Sequence, residues 1–118
     1  MRHVDHFRNA ADFREYRAGA VIFDENEPGR MMYVIKEGEV EIMHNGQVLE
    51  IIGPGDIFGE MALVDLMPRS AAAIARTDCK LVPVDNNRFI FLIQETPTFA
   101  LQVMHTMAER LRRMTKMA

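Results

Sequence analysis

A single cysteine, Cys79, in 118 residues rules out an intramolecular disulfide and removes any reason to expect an oxidising compartment. No apolar run approaches the roughly 20 residues that a bilayer-spanning helix needs. Phe89 to Ile93 is among the longest. Met1-Arg2-His3-Val4-Asp5 lacks the apolar stretch of a signal peptide, so a cytoplasmic location is the default expectation. Neither charge sign dominates. Lys and Arg number 14 against 17 Asp and Glu, and the net charge of -3 argues against a general nucleic-acid surface. Metal-ligand clusters are missing as well. His3 and His6 have ligand-like spacing but no supporting Cys, Asp or His, while His44 and His105 stand alone, so no metal site is expected. Cys79 lies among apolar neighbours with no base indicated, which reads as a small core residue and not a nucleophile. With no nucleophile–base pair, metal or cofactor motif, the chain is read as a non-enzyme.

What is present is 48% hydrophobic and 26% charged residues, the composition of one globular domain spanning 1–118, without repeats or low-complexity segments. Residues 1–19, rich in Arg and Asp, are expected to form an arm or a short amphipathic helix. From 20 to 84 the signals are those of strands: AVIF at 20–23, MYVIK at 32–36, and EVEIM at 39–43, where Glu39 and Glu41 alternate with Val40 and Ile42. Asn45-Gly46 fits a two-residue type I′ hairpin, and QVLEII returns from it. CKLVPV at 79–84 is the last strand, and Pro83 places it at an edge or a bulge. Turn signals at short intervals favour a compact antiparallel barrel or sandwich. Helical periodicity takes over for 86–118, with Asp85 as an N-cap and Thr96-Pro97 restarting the chain into one long terminal helix.

The stretch FGEMALVDLMPRSAAAIA, residues 58–75, fits a plain core strand poorly. Gly59 permits close backbone approach, and the residues after it can form one helical turn. Pro68 then directs Arg69 into the small-residue run Ser70-Ala71-Ala72-Ala73, which leaves room for a ligand. A guanidinium offers planar paired donors that match a phosphate, whereas a carboxylate only accepts and suits a sugar hydroxyl. Together Arg69 and Glu60 describe a ligand carrying both groups. The bland alternative is a structural ion pair between Glu60 and Arg69 at a barrel mouth, which the Gly59 and Pro68 context disfavours.

The stretch F-G-E-x-A-L followed by P-R-S-A resembles the phosphate-binding cassette of the cyclic nucleotide-binding domain family. Ala18 to Phe23, Met32 to Ile35 and Gly38 to Ile42 extend the likeness over roughly residues 18–115. The resemblance implies a mainly β fold with flanking helices, a double-stranded β-helix or jelly-roll-like β-roll followed by C-terminal helices. It further implies cAMP or cGMP as ligand and no cofactor. Gly59, Met61 and Ala62 would be backbone donors, Glu60 would take the ribose 2′-hydroxyl, and Arg69 and Ser70 would hold the cyclic phosphate. Ile42, Leu49 and Ile52 are secondary candidates to line the base. Arg113 and Met114 fall in the stretch 112–115 that matches the family's lid.

The function expected is a sensor that transmits occupancy through its C-terminal helix to an unknown effector protein or domain. The alternatives are a β-roll protein-interaction module with a vestigial or different-ligand pocket, and the sensor part of a larger regulator. The chain stops at Ala118, without the helix-turn-helix of the family's transcription factors, so no DNA binding by this chain is expected. Met104, Met107, Leu111 and Met114 follow a seam that suits a homodimer, the other reading being a helix packed on its own barrel. Arg110, Arg112, Arg113 and Lys116 read most simply as a solvated face near a helix C-terminus.

Overall fold

A computed structural model describes residues 10–64 and 67–117, with side chains as far as Arg113. Eight strands and three helices follow one another as β1 (Arg14–Tyr16), β2 (Val21–Phe23), β3 (Met31–Glu37), β4 (Val40–His44), β5 (Gln47–Ile52), β6 (Ile57–Phe58), α1 (Met61–Val64), β7 (Ala72–Ala75), β8 (Cys79–Asp85), α2 (Asn86–Glu95) and α3 (Thr98–Met117). Two four-stranded antiparallel sheets, ordered β1-β8-β3-β6 and β2-β7-β4-β5, form a β-roll with the C-terminal helices outside it.

The sheets bury two distinct layers. Tyr33, Ile35, Leu81 and Cys79 from the first sheet meet Phe23, Val40, Ile52, Ala73 and Ala75 from the second inside the roll. On the opposite face of the first sheet, Met32, Val34, Ile57, Val82 and Val84 pack against Phe99 and Val103 of α3. Strand β3 is therefore covered on both faces, and MMYVIKE lacks the polar–apolar alternation of a half-wet strand for that reason. Phe99 and Val103, one helical turn apart, seat α3 on the roll. Phe89 of α2 adds an edge-on contact to Phe99 at 5.9 Å between centroids.

Asn45 and Gly46 both take positive φ, at 52° and 78°, and join β4 to β5 in the expected hairpin. Asp85 caps α2 by accepting from the Arg88 N–H at 2.8 Å.

Three expectations change. Within the segment expected to be an arm or helix, Arg14–Tyr16 is a strand paired with β8, while residues 1–9, including His3 and His6, lie outside the described residues. Strand β8 lies inside its sheet between β1 and β3, not at an edge. Pro83 is tolerated there because the pairing with β1 covers only Cys79 to Leu81, so the proline falls beyond its neighbour's end. The seam of α3 is also divided. Met107 packs against the buried cluster of its own roll, whereas Leu101, Met104 and Leu111 are more than half exposed; the side chain of Met114 lies outside the described residues.

Candidate functional site

A cavity of about 710 Å³ opens between the second sheet, the segments flanking α1 and the last turns of α3. That size lies within the few hundred to a thousand cubic ångströms usual for small-molecule sites. Gly59, Glu60, Met61, Ala62, Arg69 and Ser70 all line it, together with Ile42 and Leu49 from the hairpin and Met107, Arg110, Leu111 and Arg113 from α3.

Glu60 and Arg69 are its buried charges, at 3% and 7% exposure. Gly59 makes their arrangement possible. Its φ is +77°, and a Cβ there would stand 2.7 Å from the Arg69 Nη1. The guanidinium donates from Nη1 to the Gly59 carbonyl at 2.9 Å and from Nη2 to the Met31 carbonyl at 2.7 Å, and its carbon lies 3.9 Å from the centre of the Phe23 ring. Its Nε is buried without a partner, and among the described residues Arg69 makes no ion pair. Burial lowers its pKa from the ordinary arginine value, the expected response of a cation withdrawn from water.

Glu60 pairs with Arg110, reaching across from α3, not with Arg69, which removes the structural ion pair between Glu60 and Arg69 as an account of the two residues. Arg110 also donates to the Ile57 carbonyl and lies with Nε 3.3 Å from Glu50. Arg113 donates from Nη1 to the other Glu50 oxygen at 2.6 Å. Two carboxylates of the roll are thus bridged by one arginine of the helix, and Glu50 holds a second. Arg110 is no solvated surface residue: it lies seven residues beyond Val103 and eleven beyond Phe99, on the same face of α3 that those two seat on the sheet, and two to three turns further along that face it meets the cavity mouth.

Glu50 was not legible as a pocket residue. In the β4–β5 ladder Met43 pairs with Val48 and Ile42 with Glu50, so Leu49 is an inserted residue, a bulge. The extra residue shifts the alternation so that Glu50 lies opposite Ile42 at the cavity and both Leu49 and Glu50 line it. The same phase carries Ile52, opposite Val40, into the roll interior, where it is buried in the core and does not line the cavity as expected. The only signal in the sequence was a carboxylate inside the otherwise apolar VLEII. Of the expected backbone donors, the Ala62 N–H is directed to the Gly59 carbonyl at 3.3 Å, a long bond. Among the described residues no cluster of three or more metal-ligating side chains occurs.

Fold and cavity together describe a β-roll with a buried arginine and a buried carboxylate at one pocket. The chain belongs to the cyclic nucleotide-binding domain family, whose model matches residues 13–96. It is 33% identical over 104 residues to a CRP-like cAMP-activated global transcriptional regulator of Mycobacterium tuberculosis, covering 84% of this chain and 46% of that protein. The crystal structure of Thermus thermophilus catabolite activator protein superposes with a TM-score of 0.78 at 32% identity, covering 89% of this chain and 53% of the other. A structure from work on a cyclic-GMP-dependent signalling pathway in bacterial phytopathogenesis superposes with a TM-score of 0.75 at 26% identity, covering 86% and 84%. The chain thus spans about half the length of the curated bacterial relative it matches. No helix among the described residues is long and apolar enough to cross a membrane.

Proposed function

We propose that this chain is a non-enzymatic cyclic nucleotide sensor in which Arg69 and Ser70 hold the cyclic phosphate and Glu60 accepts the ribose 2′-hydroxyl. The observation that carries this reading is the buried Arg69 guanidinium, with no ion-pair partner among the described residues, an orphaned Nε and a cavity in front of it. A largely buried cation held by two carbonyl dipoles and a ring face, with no ion-pair partner among the described residues, gains much from an anion, because most of the cost of withdrawing it from water is met before the ligand arrives. Family membership and relatives described as cAMP-activated support the same assignment.

Transmission follows from Glu60 having two suitors. A ribose hydroxyl donating to Glu60 shares that carboxylate with Arg110, which meets its Oε1, and so draws on the charge that holds an arginine of α3. Binding then loosens one tether of the helix, while Glu50 and the Ile57 carbonyl remain to receive the arginine. The effector is a protein or further domain that reads the position of α3. The exposed Leu101, Met104 and Leu111 offer that helix a surface for a second copy of the chain. A cytoplasmic location accords with a ligand made and degraded inside cells.

The test is a melting curve with cAMP, cGMP and 5′-AMP. A ligand at about 100 times its dissociation constant adds roughly 2.7 kcal/mol to the folded state. A cyclic nucleotide should raise the melting temperature, and Arg69→Ala should abolish most of that rise. An equal rise in Arg69→Ala would refute the assignment.

A further inference from the structure

From the Glu50 geometry we infer that this carboxylate selects the base, and that the nucleotide it selects is a guanine nucleotide. The inference rests on the proposed cyclic nucleotide site and adds to it the identity of the base. With the phosphate at Arg69 and the sugar at Glu60, the remaining cavity wall is the β4–β5 hairpin, where Ile42 and Leu49 supply apolar faces and Glu50 the carboxylate. Glu50 lies beside the sugar position, because the single guanidinium of Arg110 reaches both Glu60 and Glu50. The bulge at Leu49 is what turns it there; without the inserted residue the β4–β5 alternation would direct Glu50 away from the pocket.

A carboxylate can only accept, and its two oxygens offer about four lone-pair sites. Arg113 donates to Oε1 and the Arg110 Nε lies 3.3 Å from Oε2, which leaves at least one lone-pair site on each oxygen. Two parallel acceptors match the N1–H and N2–H donors on the pairing edge of guanine. Adenine offers N6–H beside the N1 lone pair, so a carboxylate facing that edge gains one hydrogen bond and meets one acceptor head-on. A glutamine reverses the match, since its amide presents one acceptor and one donor, the complement of adenine.

Binding of cGMP, cIMP and cAMP is measured by calorimetry on the wild type, Glu50→Gln and Glu50→Ala, with circular dichroism confirming that each variant folds. The wild type should bind cGMP at least roughly tenfold more tightly than cAMP, with cIMP, which keeps N1–H but lacks the N2 amine, in between. Glu50→Gln should erase or invert that order, and Glu50→Ala should flatten it. If Glu50 serves only to hold Arg110 and Arg113, both substitutions weaken all three ligands by the same factor, which overturns the inference but leaves the cyclic nucleotide site standing. A wild-type preference for cAMP overturns it likewise. Absence of binding by all three nucleotides to the wild type overturns the site itself and this inference with it.

Discussion

Arg110→Ala is the perturbation that separates a tethered helix from one that merely lies near the roll. In the structure Arg110 meets Glu60, Glu50 and the Ile57 carbonyl, and its side chain is 21% exposed against 5% for that of Glu60. Breaking a fully buried pair by removing one partner costs about 3–5 kcal/mol, because the other charge is left desolvated and alone. The cavity mouth admits water to the arginine side, so the loss here is set lower, at about 2 kcal/mol. For a chain of this length that corresponds to a fall in melting temperature of about 6–12 °C. Glu60→Gln, which keeps an acceptor but removes the charge, breaks the same pair from the other side. The double variant should therefore be more stable than the sum of the two single losses implies, with a coupling of about 1–2 kcal/mol in the cycle. Hydrogen exchange along α3 should accelerate in Arg110→Ala without ligand, because one tether of the helix has gone. A melting temperature within about 1 °C of wild type, or strictly additive single losses, would show that the pair neither stabilises the fold nor ties the helix down.

Three further outcomes are expected. Gly59→Ala forces a side chain into a backbone at φ +77° and against Arg69 Nη1 2.7 Å away, so it should cost about 1–3 kcal/mol and diminish the ligand-induced rise in melting temperature; an unaltered ligand response would contradict the placement of Arg69. Deleting residues 112–118 removes the Arg113 contact to Glu50 but leaves Arg69, Glu60 and Arg110, so nucleotide affinity should fall by roughly tenfold or less, whereas complete loss of binding would show that the anchoring contacts lie in the deleted segment. Leu101→Glu with Met104→Glu places charge on the exposed face of α3 and should leave the unfolding free energy within about 1 kcal/mol of wild type while abolishing any dimer seen by light scattering; a dimer that survives both substitutions uses another surface.

Much of the roll was legible because its strands obey local rules. EVEIM alternates, Asn45-Gly46 admits the positive φ that a tight hairpin requires, and Asp85 provides the acceptor at the start of α2. Arg69 and Glu60 stood out because a guanidinium and a carboxylate interrupt a run of small and apolar residues, and the structure places both on one cavity. The illegible parts are those in which a tertiary choice overrides the local period. A bulge inside QVLEII leaves no mark in an apolar strand, yet it decides that Glu50 faces the cavity and Ile52 the core. Arg110 sits in a charged stretch with ordinary helical spacing, and only the burial of Phe99 and Val103 fixes which cation meets Glu60. Strand β1 depends on a partner some 65 residues away, and nothing in Arg14-Glu15-Tyr16 specifies that pairing.

The charges around the cavity are consistent with its proposed occupant. Glu50 and Glu60 oppose Arg69, Arg110 and Arg113, which leaves one positive charge in excess within a chain whose net charge is -3. A cyclic phosphate is a diester with a single negative charge, whereas a 5′-monophosphate carries between about 1.5 and 2 near neutral pH, as phosphate monoesters do. The cavity is therefore neutralised by the cyclic ligand and overcharged by the open one, which makes 5′-AMP a discriminating control. The arginines also differ in what their movement can report. Arg69 is anchored on the Gly59 and Met31 carbonyls of the roll, so an anion arriving there adds affinity without displacing an element. Arg110 projects from α3 and is shared between two carboxylates, so any change in the demand on Glu60 changes the free energy of the helix position. A ligand shifts a conformational equilibrium only through its unequal affinity for the two states. In the proposed binding mode that inequality arises at Glu60, the carboxylate that sugar and helix would share.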